Sequence, residues 1–299
     1  MYALAPNVVC YFNGLGRPLD LTLSDFESDR CWFRRAWTLQ EVTYHLIIGG
    51  EMVQDVMEKE VRRKFDEQLT SLQEIQRCGT TLDLASEMQH RVSTKPVDKV
   101  AGLVYLLQTD SIPIYDAEQS EADAWEVLMD VMEPWFRAEL LFFFPEPGNG
   151  SKYWRPSWEQ VMTSKLIARR FAWYPDKVYR TEDPGADYYE GYCIKSGNVR
   201  GLSVVLNELK PRQGELVFND STGARHTLKI VADHTYPIPD GLYTLIGCIG
   251  RSSRSDLWVV GQLREDGKFK KLSVFHSADD EQVKLMELAL EQRVQIFLC

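Results

Sequence analysis

The sequence predicts an α+β protein, with a mixed α/β, mainly helical region over residues 1–187 and an antiparallel β-rich barrel or sandwich over 188–299. Three observations carry this expectation. In the first half, apolar residues recur at intervals of three and four between charged ones, the period of an amphipathic helix. From Tyr188 onward the pattern changes to short β-like runs punctuated by Gly, Asp, Asn and Pro. Between the two, over 144–191, Pro145, Pro147, Gly148, Pro156, Pro175 and Pro184 interrupt any long element, which marks a junction. A length of 299 residues suits two domains, and 44% apolar with 26% charged residues is the balance of a chain that can bury a core.

The elements follow in chain order. The run 8–12, Val-Val-Cys-Tyr-Phe, is β-like and is closed by Asn13, Gly14, Leu15 and Gly16. Over 58–78, Val61, Phe65, Leu69, Leu72 and Ile75 make one apolar helical face among charges. A second helix is expected over 82–91. A third follows Pro96, with Val97, Val100, Ala101, Val104 and Leu107 on its apolar side. A fourth covers 122–137, where Pro134 should end or kink it near Glu133. Strands are expected at 188–194, 199–206, 215–218, 225–231, 242–249, 257–263 and 269–274. Asp266-Gly267 signals a tight two-residue hairpin, because both residues tolerate the positive φ such a turn needs. Turns are also expected at 219–223 and at Pro239, Asp240 and Gly241. A helix over 279–292, with Val283, Met286 and Leu290 on one face, and a short strand at 294–298 complete the chain.

Charge and residue usage remove several functions. Lys and Arg number 34 against 44 Asp and Glu, a net charge of −10, so no nucleic-acid partner is expected. No apolar run approaches the roughly 20 residues of a membrane span, and the longest, around 140–144, stops at Pro145. The first residues lack a basic start followed by an apolar region, and a cytoplasmic location is the expectation. The six cysteines form no CxxC pair, and the five histidines never fall at HxH or HxxxH spacing. No metal and no bound cofactor are therefore expected. No serine lies in a GxSxG context.

The densest cluster of chemistry-bearing side chains is Trp32-Phe33-Arg34-Arg35-Ala36-Trp37-Thr38-Leu39-Gln40-Glu41. Its Arg-x-Trp-Thr-x-Gln-Glu core resembles the signature block of the fungal heterokaryon incompatibility domain. Further matches occur in the family's order: Met1-Tyr2-x-x-Ala5, then Leu15-Gly16, then Pro96-x-Asp98-Lys99-Val100 leading to Leu106-Leu107, then Pro156-Ser157-Trp158. The resemblance covers roughly residues 1–160 and lacks the family's opening Ser-Tyr-x-Trp-Gly strand and the following Trp-x-Asp-x-x-Cys-x-x-Gln block, so it reads as a partial domain. It implies a cytoplasmic effector of fungal non-self recognition that promotes growth arrest or programmed cell death. It also implies remote kinship with Toll/interleukin-1-receptor-like (TIR-like) domains, some of which cleave NAD.

Two readings of the block stay open. In the catalytic one, implied by that kinship, Glu41 is the carboxylate that stabilises an oxocarbenium charge. Trp37, one helical turn away, is an aromatic wall, Arg34 or Arg35 holds a phosphate, and NAD is substrate rather than cofactor. In the structural one, Thr38 and Glu41 form a capping box at a helix start, Trp37 is an apolar anchor, and Gln40 and Asp98 belong to the motif's framework. A third reading, from a different class, makes the chain a non-catalytic binding or scaffold protein that uses its β-rich domain. A protein partner or self-association is expected under the effector and scaffold readings. Among weaker signals, Gly14-Leu15-Gly16-Arg17 reads as a turn, Asp98-Lys99 as a solvated or capping pair, and Tyr153, Trp154 and Trp158 as packing. His226 and His234, eight apart, would share a strand face.

Overall fold

The structure is a computed structural model that describes residues 7–43, 46–50, 57–109, 111–166, 176–181, 186–204, 210–248, 257–278 and 293–299. The expected helix over 279–292 lies outside the described residues. The chain forms two compact units, 1–133 with 161–170, and 134–160 with 171–299. This division follows packing, whereas the expected one at 187 follows composition.

In the first unit, β1 (Val8–Cys10) pairs in parallel with β2 (Leu46–Ile48). The turn after β1 forms as expected, with Gly14 N–H donating to Tyr11 O at 3.2 Å and Arg17 N–H to Gly14 O at 3.1 Å. Helix α1 (Lys59–Cys78) buries Val61, Phe65, Leu69 and Leu72, the face its periodicity predicted. Helix α2 (Thr81–Gln89) starts in a capping box: Thr80 Oγ1 accepts the Asp83 N–H at 3.3 Å, and Asp83 Oδ2 accepts the Thr80 N–H at 2.7 Å. The expected third helix is shorter than its apolar pattern. α3 spans only Asp98–Ala101 and gives way to successive turns in which Leu103, Val104 and Leu107 are still buried. Gly102 sits at that change. A Cβ there would lie 3.1 Å from Ala36 O and 3.1 Å from Met88 Cε, a tight approach at which these neighbours would have to give by a few tenths of an ångström. Helix α4 (Glu121–Val131) ends before Pro134, as expected.

The second unit opens with α5 (Pro134–Phe143), where Pro134 occupies a first helical position and the apolar run through Phe143 is buried. Helix α6 (Trp158–Thr163) begins in this unit and ends in the first, to which 161–170 belong. The strands are β3 (Val178–Arg180), β4 (Asp187–Arg200), β5 (Arg212–Asn219), β6 (Arg225–Ala232), β7 (Gly241–Cys248), β8 (Leu257–Leu263), β9 (Phe269–Ser277) and β10 (Val294–Leu298). They form one large, almost entirely antiparallel sheet in the order β10-β4-β5-β6-β9-β8-β7, with β3 on β4. The path returns from β7 to β4. However, β6 and β9 pair only through Ile230 with Ser277 and Val231 with His276, and the β4 register shifts between Ile194 and Gly197. The sheet is therefore not a clean barrel.

The strand expected at 188–194 and the start of the one expected at 199–206 are one long strand, β4, because Gly197 and Asn198 pair on both sides, with β5 and with β7. Beyond Arg200 the expected strand does not form over 201–204, and 205–206 lie outside the described residues. The hairpin at Asp266-Gly267 differs from expectation in detail: Arg264 N–H bonds Lys268 O at 2.9 Å, which leaves three residues in the loop rather than two. The expected turn over 219–223 has the same form, with Asp220 N–H bonding Ala224 O at 2.9 Å. The third loop residue, Gly267 at φ 78° or Gly223 at φ 85°, takes the left-handed position of a bulge-type turn.

One face of the sheet buries Val199, Leu216, Leu228, Ile230, Leu245, Trp258 and Phe275 in a common core. On the other, Phe142 of α5 meets Tyr189 edge-on at 5.1 Å. Lys271 of β9 is fully buried, and its ammonium donates to the α5 C-terminal carbonyls of Leu140 at 3.3 Å and Leu141 at 2.8 Å, and to Phe144 O at 2.6 Å. Three carbonyls thus receive the three protons that water would otherwise solvate, at the negative end of a helix. Nearby, Asp187 binds Arg137, the Trp154 indole N–H at 3.0 Å and Lys152 at 3.4 Å. Trp154 and Trp158 are buried, as the packing reading expected.

Candidate functional site

The motif block sits against an aromatic floor. Phe12, Trp32, Phe33 and Phe65 are all buried, with Phe12 4.6 Å from the Trp32 ring and 4.7 Å from Phe65. Two short 3₁₀ turns, Trp32–Arg34 and Ala36–Glu41, carry the block across this floor. The chain between them is pinned by a parallel bridge of Arg35 to Val92, in which Ala36 N–H donates to Val92 O at 2.9 Å and Val92 N–H to Arg34 O at 2.6 Å.

The expected capping box is not what forms. The residue before the second turn is Arg35, so Thr38 lies inside that turn, where its one hydroxyl proton is shared between the Trp32 carbonyl and Arg35 O at 2.8 Å, and the hydroxyl accepts no backbone N–H. The Glu41 carboxylate accepts the Trp32 indole N–H at 2.8 Å. Trp37 is not stacked one turn from Glu41 either. At three residues per turn, positions four apart point in different directions, and Trp37 instead meets the Tyr115 ring at 6.0 Å.

Arg91 organises the block from outside it. Its side chain is 0% exposed, and it donates through Nη1 to Arg35 O at 2.7 Å and to Thr38 Oγ1 at 2.9 Å, and through Nε to Glu87 at 3.2 Å. Burial lowers the Arg91 pKa from its usual value and the Glu87 carboxylate opposes that shift. No sequence signal singles out Arg91, because an arginine at a helix end is ordinary and its partners in the block lie more than fifty residues back.

The remaining expected residues are dispersed. Arg34 donates to the Glu27 carbonyl and pairs with Asp29 at 3.4 Å, while the Arg35 side chain is exposed. Gln40 is buried, and its Oε1 has no hydrogen-bond partner among the described residues. Asp98 is buried rather than solvated. It accepts the Lys95 N–H at 3.2 Å and the Tyr115 hydroxyl at 2.7 Å, a bond that raises the Tyr115 pKa. Cys10, whose thiol lies near the Glu41 carbonyl, is pushed up to about 12, by burial first and by the Glu41 charge second.

Beside the block lies a cavity of about 680 Å³ whose walls include Phe33, Arg34, Gln68, Glu87, Arg91 and Lys99. Of the site residues expected from the sequence, only Arg34 lines it. His226 and His234 do not converge: His226 bonds Asp220 at 2.7 Å, while buried His234 bonds Val274 O at 2.7 Å and lies against Arg212. No group of residues suited to hold a metal ion occurs among the described residues, and no described helix is long and apolar enough to cross a membrane. No protein-family model, curated protein or solved structure matches the chain.

Proposed function

We propose that the chain is a heterokaryon-incompatibility-type effector of fungal non-self recognition, which promotes growth arrest or cell death through protein association. In this reading the 35–41 block is a structural keystone rather than a catalytic centre. The observation that carries the keystone role is how the block spends its polar groups. Glu41 is bonded to the Trp32 indole, Thr38 is bonded to Arg91 and to backbone carbonyls, and neither lines the neighbouring cavity. A carboxylate that is to meet an oxocarbenium ion must face the substrate, and this one faces a tryptophan.

The test is induced expression in a filamentous fungus, with NAD consumption by the purified chain followed in parallel. The expected result is growth arrest by the wild type, arrest retained by Glu41→Gln, which keeps an acceptor for the indole, and no nicotinamide release from either protein. Nicotinamide release that vanishes in Glu41→Gln would replace the structural reading with the catalytic one. Absence of arrest by a folded, expressed wild type would refute the effector role.

One observation favours the alternative of a binding role for the β-rich unit. Tyr179, Tyr188 and Phe297 stand opposite one another on β3, β4 and β10, with ring centroids 5.2 and 6.3 Å apart and Phe297 41% exposed. Loss of self-association or partner capture in Phe297→Ser, with folding intact, is the outcome that reading requires.

A further inference from the structure

The block's side chains are engaged with one another and with Arg91, but the cavity beside them keeps polar capacity that the described residues leave unused. We propose that this cavity is a binding site for a small oxyanion, phosphate or carboxylate, anchored by Lys99 and Arg91, with a hydroxyl or N–H of the ligand donating to Gln68 Oε1. The proposal is independent of the effector reading, since Glu41 does not line the cavity.

Four elements converge on it: the 26–34 turn region, α1, the end of α2 and α3. Its volume of about 680 Å³ lies within the range of ordinary small-molecule sites. Lys99, from α3, is half-buried, and its ammonium makes no ion pair or hydrogen bond among the described residues. Burial lowers the Lys99 pKa, an effect that Glu121 opposes and that a bound anion would oppose further. Arg91 Nη2 lies 3.1 Å from Glu87 but has no properly directed hydrogen-bond acceptor. Gln68 Oε1 is shielded from solvent and has no donor.

A buried donor or acceptor left without a partner is unfavourable, so a ligand that offers anionic oxygens to the two cations and a hydroxyl or N–H to Gln68 is favoured by all three groups. Charge agrees with this reading. In a chain of net charge −10, the cavity gathers Arg34, Arg91 and Lys99 against Glu27 and Glu87, and Glu87 already faces Arg91. Phe33 and Leu72 add apolar wall, which suits an anion carried on a small organic body.

The experiment is calorimetric titration of the full chain with pyrophosphate and with citrate, at ionic strength held constant by NaCl. Saturable binding of at least one probe is expected, weakened roughly tenfold or more by Lys99→Met and kept within about threefold by Lys99→Arg, which retains the charge. Lys59→Met, an exposed control with the same charge change, should bind as the wild type does. Binding of pyrophosphate alone identifies a phosphate site, binding of citrate alone a carboxylate site, and binding of both the shared oxyanion chemistry. In the wild type, acetylation of Lys99 read by mass spectrometry should slow when the probe is bound while that of Lys59 does not, a readout that survives even if Lys99→Met fails to fold. The proposal is overturned if neither probe saturates at millimolar concentration, if Lys99→Met binds as tightly as wild type, if Lys59→Met weakens binding as much, or if Lys99 acetylation is indifferent to the probe.

Discussion

Replacing Arg91 with methionine tests whether the block is held from outside itself. Methionine fills the stem of the side chain and removes the guanidinium, which donates to Glu87 at 3.2 Å, Arg35 O at 2.7 Å and Thr38 Oγ1 at 2.9 Å. Each such charge-assisted bond is worth about 1.5–3 kcal/mol, but they are not lost equally. Arg35 O keeps the Thr38 hydroxyl at 2.8 Å, and Glu87, with 25% of its side chain exposed, can be rehydrated. The net cost is therefore at the low end for a broken buried pair, about 3 kcal/mol, which is roughly 10 °C in melting temperature for a unit of this size. Glu87→Gln retains an acceptor and should cost only about 1 kcal/mol. Urea unfolding gives the magnitude, and amide hydrogen exchange over 34–42 gives the location, because the bridge between Arg35 and Val92 should open first. A loss under about 1 kcal/mol in Arg91→Met, with exchange over 34–42 unchanged, would refute the keystone argument.

Asp187→Asn removes the negative charge that Arg137, Lys152 and the Trp154 indole share in a buried site and should cost about 3 kcal/mol, whereas Asp187→Leu combined with Arg137→Met should recover part of that loss in urea unfolding. Burial, which the Glu146 charge opposes only in part, holds the Lys271 ammonium well below its usual pKa. Between the folded pKa and the unfolded value near 10.4, the unfolded chain binds the extra proton, so the contribution of Lys271 to stability rises with pH. The stability of the wild type relative to Lys271→Met should accordingly be higher at about pH 9 than at about pH 6, and a difference that does not change with pH would contradict this. Cys10 and Cys248 are both pushed up to about 12, by burial above all. At about pH 8 only about one thiol in ten thousand is then ionised, so iodoacetamide should label exposed Cys78 in the native chain and spare these two until urea unfolds it.

What the sequence determined alone is what depends on neighbours a few residues away. The period of Val61, Phe65, Leu69 and Leu72 is sufficient for α1, because a helix places those positions on one face whatever they pack against. Pro134 had to interrupt the run from α4 into α5, since it lacks a backbone N–H. The Gly223 and Gly267 turns follow from residues that tolerate positive φ, although the three-residue form of each loop depends on where its strands pair. The seven β-like runs place most of the sheet, but the break they leave at 195–198 does not exist, and local composition invites it. The continuity of β4 comes from β5 and β7, whose pairing residues lie further along the chain.

The block shows the same division. Its residue types drew attention to it, yet Thr38-x-x-Glu41 reads as a capping box only while the chain before it is ignored. Trp32 and Arg91 supply competing partners, and Arg91 comes from 53 residues beyond Thr38. Lys271 is likewise a polar residue at an inward strand position, and only the end of α5, more than 120 residues earlier, supplies carbonyls for it. Periodicity records which side of an element is apolar. Which distant atoms complete a buried polar group is decided by the energy of leaving it unpaired, and that energy is settled only when the units close around it.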